Sequence, residues 1–162
     1  MAALVQEATR PVSVRRNGFT LIELMIAVLI IGLLLTLALP AGLRAMRRSR
    51  NARYANDSRA AASAFSEYAL EHGSYPADVS RGVIPPGMEQ YLRKMRWRQT
   101  PSIGGTWDWD YEVFGITAGV SVAEPKAPQS QLEEIDRLVD DGNVKTGTYR
   151  LLGDRYTYVI EP

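Results

Sequence analysis

Apolar residues fill an almost unbroken run from residue 19 to residue 43, in which Glu23 is the only charge. The part of the run after Glu23, residues 24–43, has no charged residue at all. A helix of that length spans roughly 30 Å, the hydrocarbon thickness of a bilayer. Because the run is apolar on every side, it does not fit the surface of a soluble domain. We therefore predict a transmembrane helix over residues 19–43.

Helical spacing continues beyond the apolar run. Residues 44–73 contain no proline, and Ala62, Phe65 and Ala69 recur on one face of a helix. Gly73, with a proline three residues later, predicts the helix end. The same helix is thus expected to extend from the membrane into a soluble head.

The rest of the chain alternates between turn-forming and strand-forming segments. Residues 74–105 are rich in proline and glycine, which predicts a connecting region with one short helix at residues 87–94. Residues 106–162 form the predicted sheet domain, with a short amphipathic helix near residues 130–140 that Ser130 would cap. The predicted strands, which share a period of two, cover residues 106–113, 116–122, 148–152 and 156–160.

Together these elements predict an α+β fold. A long N-terminal helix, whose first half is transmembrane, packs against a small antiparallel sheet of about four strands.

Composition excludes several kinds of chemistry. The chain has no cysteine, so it has no disulfide, catalytic thiol or thiolate-bound metal. His72 is the only histidine, and its place at the predicted helix end suits a cation rather than a ligand. We expect no cofactor, no metal and no catalytic residues.

The first predicted strand carries the most conspicuous side chains. Asp108, Asp110 and Glu112 share one face, where they fit either a solvated surface or an acid–base or metal site, and we favour the solvated surface. Trp107 and Trp109 share the other face; we place them in the core rather than on a sugar or base.

Five arginines follow the apolar run, and they bear on topology and on ligands. By the positive-inside rule they would place the C-terminal part in the cytoplasm. They would bind lipid phosphates or nucleic acid, and their position directly after a membrane segment favours lipid. We therefore expect no nucleic-acid partner. The arginines are Arg44, Arg47, Arg48, Arg50 and Arg53.

The segment around Gly18 carries a recognisable motif. Residues 15–24 read Arg-Arg-Asn-Gly-Phe-Thr-Leu-Ile-Glu-Leu, directly before the apolar run. This resembles the prepilin peptidase site of type IV pilins and type II secretion pseudopilins. The resemblance implies a leader at residues 1–18 with Arg15 and Arg16 as its basic residues. It also implies cleavage between Gly18 and Phe19 and N-methylation of Phe19.

The same resemblance assigns roles to Glu23 and Pro40. Cleavage would leave an α-amino group on Phe19, and the Glu23 carboxylate of a neighbouring subunit would pair with it and set the axial register. Pro40 stands where many members of the family have a proline that loosens the helix.

A structural role follows from the resemblance: a pilin-like or pseudopilin subunit, not an enzyme. Its implied partners are a prepilin peptidase, other pilin subunits and, indirectly, an assembly ATPase and a platform protein. Its implied location is the bacterial inner membrane, with the head in the periplasm, or an extracellular filament. This topology is opposite to the one that the positive-inside rule gives for the five arginines. The alternatives are a membrane-anchored extracytoplasmic binding module that does not polymerise, and a membrane-anchored enzyme using Asp108 and Asp110.

Asp140, Asp141 and Asn143 close the predicted short helix. Some pseudopilins hold calcium through a C-terminal loop, so calcium is one interpretation of this cluster. The segment lacks the later bidentate Glu of an EF-hand. A helix end with Gly142 in a left-handed conformation is the interpretation we favour.

Overall fold

The computed structural model describes residues 18–162, so Arg15, Arg16 and the rest of the predicted leader before Gly18 lie outside the described residues. The chain divides into a unit ending at Gly42 and a larger unit, the head, from Leu43 to Pro162. The helices are α1, Leu21–His72, a 3₁₀ turn at Tyr91–Lys94, and α2, Gln129–Val139. The strands are β1, Thr106–Tyr111, β2, Ala118–Ala123, β3, Tyr149–Leu152, and β4, Arg155–Glu161.

The head confirms the predicted α+β class. Its four strands form one antiparallel sheet in the order β1-β2-β4-β3. The sheet therefore places the last strand of the chain between the second and third strands. Trp109 pairs with Val120 across β1 and β2, and Val122 pairs with Tyr156 across β2 and β4.

One face of α1 within the head packs on this sheet through aromatic rings. Tyr54 is fully buried and stacks on Trp107 at 5.7 Å and on Tyr156 at 5.8 Å between ring centroids. The predicted helical face is confirmed, because Ala62 and Phe65 are also buried and Ala69 is partly buried. Burial of these large rings stabilises the head, since each removes about 150–250 Å² from water.

The connecting region supplies core residues that its proline-rich composition did not predict. Met88, Leu92, Trp97 and Ile103 are all buried. The Trp97 indole N–H donates to the carbonyl of Val83 at 3.0 Å, which satisfies the one polar group of the ring. The region therefore packs as part of the head, and the short helix predicted at residues 87–94 is only the 3₁₀ turn.

The predicted cap of α2 is wrong. The helix begins at Gln129, and Pro128 occupies the cap position without a side-chain hydrogen bond. The fixed φ of proline suits a helix start. The backbone N–H that proline lacks would have no partner within the helix at this position. Ser130 lies in the first turn instead, where its hydroxyl accepts a 3.5 Å hydrogen bond from Arg47.

Candidate functional site

The N-terminal end of α1 holds the residues of the predicted processing site. Gly18 and Phe19 precede the helix and are exposed, and within residues 18–162 a Cβ at Gly18 would meet no other atom within 4 Å. No residue of the described range 18–162 therefore blocks the peptide bond between them. The Phe19 side chain is 80% exposed, so nothing in the described part of the chain shelters it.

Glu23 closes a reciprocal cap with Thr20. The Thr20 backbone N–H and hydroxyl donate to the Glu23 carboxylate at 2.9 and 2.7 Å, and the Glu23 N–H donates to the Thr20 hydroxyl at 3.3 Å. This is a capping box, which satisfies N–H groups that the first helical turn leaves free. Sequence reasoning missed it, although the Thr-x-x-Glu spacing before an apolar run is its usual signal.

The apolar part of α1, described by itself, exposes many large apolar side chains. It belongs to a helix long and apolar enough to cross a membrane, and none of its most apolar window is buried inside the protein. The side chains of Leu21, Val28 and Leu29 are 76%, 68% and 72% exposed. So large an apolar surface needs lipid or protein around it.

Pro40 lies inside α1, which continues through it from Leu21 to His72. A proline there removes one backbone hydrogen bond and crowds the carbonyl four residues earlier. The predicted helix bend at Pro40 stays a prediction.

The favoured interpretation of the acidic face of β1, a solvated surface, is wrong for two of its three residues. Asp108 and Asp110 are not solvated, being only 4% and 1% exposed. Both accept hydrogen bonds from one nitrogen of the Arg155 guanidinium, at 3.0 Å for Asp108. The third member of the predicted face, Glu112, is exposed and has a left-handed backbone in the turn after β1.

The electrostatics of this cluster are unbalanced, since two buried carboxylates share one guanidinium, which also contacts the exposed Asp154 at 3.3 Å. Burial, reinforced by the charge of Asp110, raises the pKa of Asp108 to about 6 although Arg155 acts to lower it. Burial likewise raises the pKa of Asp110, although the charge and hydrogen bond of Arg155 act to lower it. The Phe114 ring covers the guanidinium of Arg155, with 4.1 Å between the ring centroid and the guanidinium carbon. The cluster is enclosed on this side, which suits a structural role better than an acid–base site open to a substrate.

Both tryptophans of β1 lie in the core, as predicted. Trp107 is 2% exposed and Trp109 is fully buried. The indole N–H of Trp109 donates to the carbonyl of Pro76 at 3.0 Å. Neither ring is accessible for stacking on a sugar or base.

The end of α2 brings together three carboxylates, of which the sequence pointed to two. Asp136, Asp140 and Asp141 each place an oxygen within 4.8 Å of the others. Asp136 is fully buried, and neither of its carboxylate oxygens has a hydrogen-bond partner. Burial raises the pKa of Asp136 to about 6, and the nearby charges of Asp140 and Asp141 reinforce this shift. Asp136 lies four residues before Asp140, a spacing that places both on one face of a helix. This spacing was the signal in the sequence that would have identified Asp136.

The other two carboxylates organise the turn that follows. Asp140 accepts from the backbone N–H of Thr148 and, at 3.3 Å, of Tyr149. Asp141 accepts from the N–H of Asn143 at 2.7 Å and from the Thr146 hydroxyl at 2.8 Å. These bonds lower the pKa of Asp141. Gly142 has the left-handed conformation expected after a helix, with φ of 83°.

Comparison with known proteins confirms the resemblance at the N-terminal motif. Residues 14–39 match the family model described as the prokaryotic N-terminal methylation motif. This range contains Gly18, Phe19 and Glu23. The matched range therefore includes the residues on which the resemblance to type IV pilins was based.

Curated relatives match longer stretches of the chain than this motif. The chain is 38% identical over 74 residues, 46% of this chain and 35% of the relative, to a type IV major pilin protein PilE1 of Neisseria gonorrhoeae. A second PilE1 of that organism is 40% identical over 85 residues, 50% of this chain and 47% of the relative. The fimbrial protein EcpC of Eikenella corrodens is 44% identical over 63 residues, 39% of this chain and 41% of the relative. The matches span less than half the length of each relative. No solved structure matches the chain significantly.

Proposed function

We propose that this protein is a structural subunit of a type IV pilin-like filament. The observation that carries the proposal is the methylation motif at residues 14–39, joined to an apolar helix with exposed side chains. The major pilin and fimbrial relatives support it. Both a pilus and a type II secretion pseudopilus fit the motif.

Processing would come first. A prepilin peptidase would bind the leader through Arg15 and Arg16, cleave the open Gly18–Phe19 bond and methylate the new amine of Phe19. The exposure of both residues supports access to this bond.

Before assembly, residues 19–43 would anchor the subunit in the bacterial inner membrane, with the head in the periplasm. On assembly each apolar helix would exchange lipid for the helices of other subunits. Because lipid is already apolar, close packing and polar pairs would guide this exchange rather than the hydrophobic effect. Extraction from the bilayer would be driven through a platform protein by a cytoplasmic ATPase.

Glu23 would supply the polar pair. In the single subunit its carboxylate is occupied by Thr20. In a filament it would accept from the amine of Phe19 of a neighbour, neutralising two charges that are costly among apolar helices. The pairing would fix one axial position, because only there would each of the two charges meet an opposite charge.

The proposal is tested by mass spectrometry of the protein from native membranes, both intact and as its N-terminal peptide. We expect a chain that begins at Phe19 and is heavier by one methyl group. A chain that retains residues 1–18 would overturn the proposal and favour the anchored binding module.

A further inference from the structure

A groove in the head, between α1 and α2, is lined by arginines that processing and assembly do not use. It encloses about 480 Å³, and Arg44, Arg47, Arg48 and Arg137 line it with a single carboxylate, Glu134. The lining therefore carries an excess of three positive charges by formal count. Arg44 is also the first charged residue after the uncharged run of residues 24–43.

Two of these guanidinium groups are not neutralised by the protein. Arg47 pairs with Glu134 at 3.0 Å, and Arg137 lies 3.7 Å from Glu133. Arg44 and Arg48 form no ion pair within residues 18–162, and both are exposed. They stand four residues apart on one helix, a spacing at which like charges repel. An anion between them would remove this repulsion.

The surroundings indicate which anion fits. Exposed apolar side chains accompany the arginines: Leu138 lines the groove, and Leu43 and Met46 flank Arg44 in the chain. Proteins that hold single-stranded nucleic acid add aromatic rings on which bases stack. The groove lining contains none. A phosphate joined to an acyl chain matches this combination of arginine and aliphatic surface.

We propose that this groove binds the phosphate of an anionic phospholipid while the subunit resides in the membrane. Arginine suits this role because its planar donors bind two phosphate oxygens at once. The inference rests on the proposed function only in requiring residues 19–43 to be membrane-inserted. It also gives the arginines a role that does not need the head to be cytoplasmic.

The test uses the full chain in detergent micelles and native mass spectrometry. Retention of phosphatidylglycerol is compared with that of phosphatidylcholine for wild type and for the double variant Arg44→Gln/Arg48→Gln. Each arginine near an anionic surface contributes about a five-fold preference, so we expect the double variant to retain phosphatidylglycerol about thirty-fold less. Arg59→Gln/Arg98→Gln is the matched control, since it removes two exposed arginines without an ion pair elsewhere in the head. It should behave as wild type.

Three outcomes would overturn the proposal. The first is equal retention of both lipids by wild type, or equal loss in the two double variants. The second is displacement of phosphatidylglycerol by inorganic phosphate at equal concentration, which would show a site for free phosphate. The third is tighter binding of a single-stranded oligonucleotide that depends on Arg44 and Arg48. Flotation of wild type with phosphatidylcholine vesicles tests membrane insertion separately, so failure there would count against the proposed function instead.

Discussion

Phe65 of α1 lies flat on Trp109 of β1, with ring centroids 3.8 Å apart and planes 2° from parallel. The two residues come from opposite sides of the helix–sheet interface in the head. Both are fully buried, and Trp97 and Tyr75 pack against the pair at 5.7 Å. This contact therefore joins the helix, the sheet and the connecting region in one place.

Removing the Phe65 ring should destabilise the head strongly. Phe65→Ala leaves a cavity against Trp109 and is expected to lower the free energy of unfolding by about 3–5 kcal/mol. Urea unfolding of the full chain in detergent, followed by tryptophan fluorescence, measures it. Leu70→Ala is the control on the same helix, because Leu70 is 87% exposed and its loss should change stability by less than about 0.5 kcal/mol. Equal effects of the two substitutions would refute this account of the core.

Arg155 and Arg81 make similar contacts, and burial should separate their effects. Arg155 bonds two buried carboxylates, whereas Arg81 bonds Glu124 at 2.8 Å and Asp154 at 2.5 Å with its side chain 40% exposed. Arg155→Ala should lower the free energy of unfolding by about 3–5 kcal/mol, since it leaves carboxylates buried without a counter-charge. Arg81→Ala should cost about 0–1 kcal/mol, since water screens the exposed pair.

A second substitution shows whether the charge itself is the cause. Adding Asp108→Asn to the Arg155→Ala variant removes one of the stranded carboxylates. We expect part of the lost stability to return, as measured by the same unfolding experiment. If the double variant is no more stable than Arg155→Ala, then lost packing against Phe114 explains the damage instead.

Asp136 should make stability depend on pH in a defined direction. Its pKa of about 6 lies above the ordinary 3.8, so the folded state binds the proton more tightly than the unfolded state does. Its contribution to stability is therefore greatest below about pH 4 and is lost as pH rises through 6. The difference corresponds to about 3 kcal/mol between the two protonation states.

Asp136→Asn isolates this effect from other titrating groups. At about pH 7.5 in a chelating buffer the variant should have the higher Tm, by several degrees, because no charge is buried. The advantage should shrink as pH falls towards 4.5, where wild type becomes protonated. A variant less stable than wild type at about pH 7.5 would contradict the idea that the charged Asp136 carboxylate destabilises the folded state.

Glu23 has two separable tasks, capping α1 and pairing with the amine of a neighbour. Glu23→Gln keeps an oxygen that can accept from Thr20 but removes the charge, whereas Thr20→Val removes the hydroxyl and keeps the charge. The proposed pairing predicts filament loss for Glu23→Gln and assembly for Thr20→Val. Sheared-filament yield, normalised to membrane levels of each subunit, measures both. The opposite pattern would indicate that only the cap matters.

Much of the architecture was determined by local sequence. A run without charge sets the membrane-capable helix, because the length and the apolar character of that run are local properties of the sequence. Period-two alternation located all four strands to within a few residues, and the faces of Trp107 and Trp109 were assigned correctly. The capping box at the start of α1 was also readable from the sequence, because Glu23 follows Thr20 by three residues.

Only the tertiary structure decided what covers the second face of the sheet. Alternation shows that Asp108 and Asp110 share a face, but it does not show whether water or protein lies against that face. Their partner Arg155 is 47 and 45 residues away, and it reaches them only after β4 has paired with β2 beside β1. Asp136 and the groove arginines depend in the same way on elements that meet in space and not in sequence. Burial and charge pairing are properties of that assembly, because the cost of a charge is set by its surroundings.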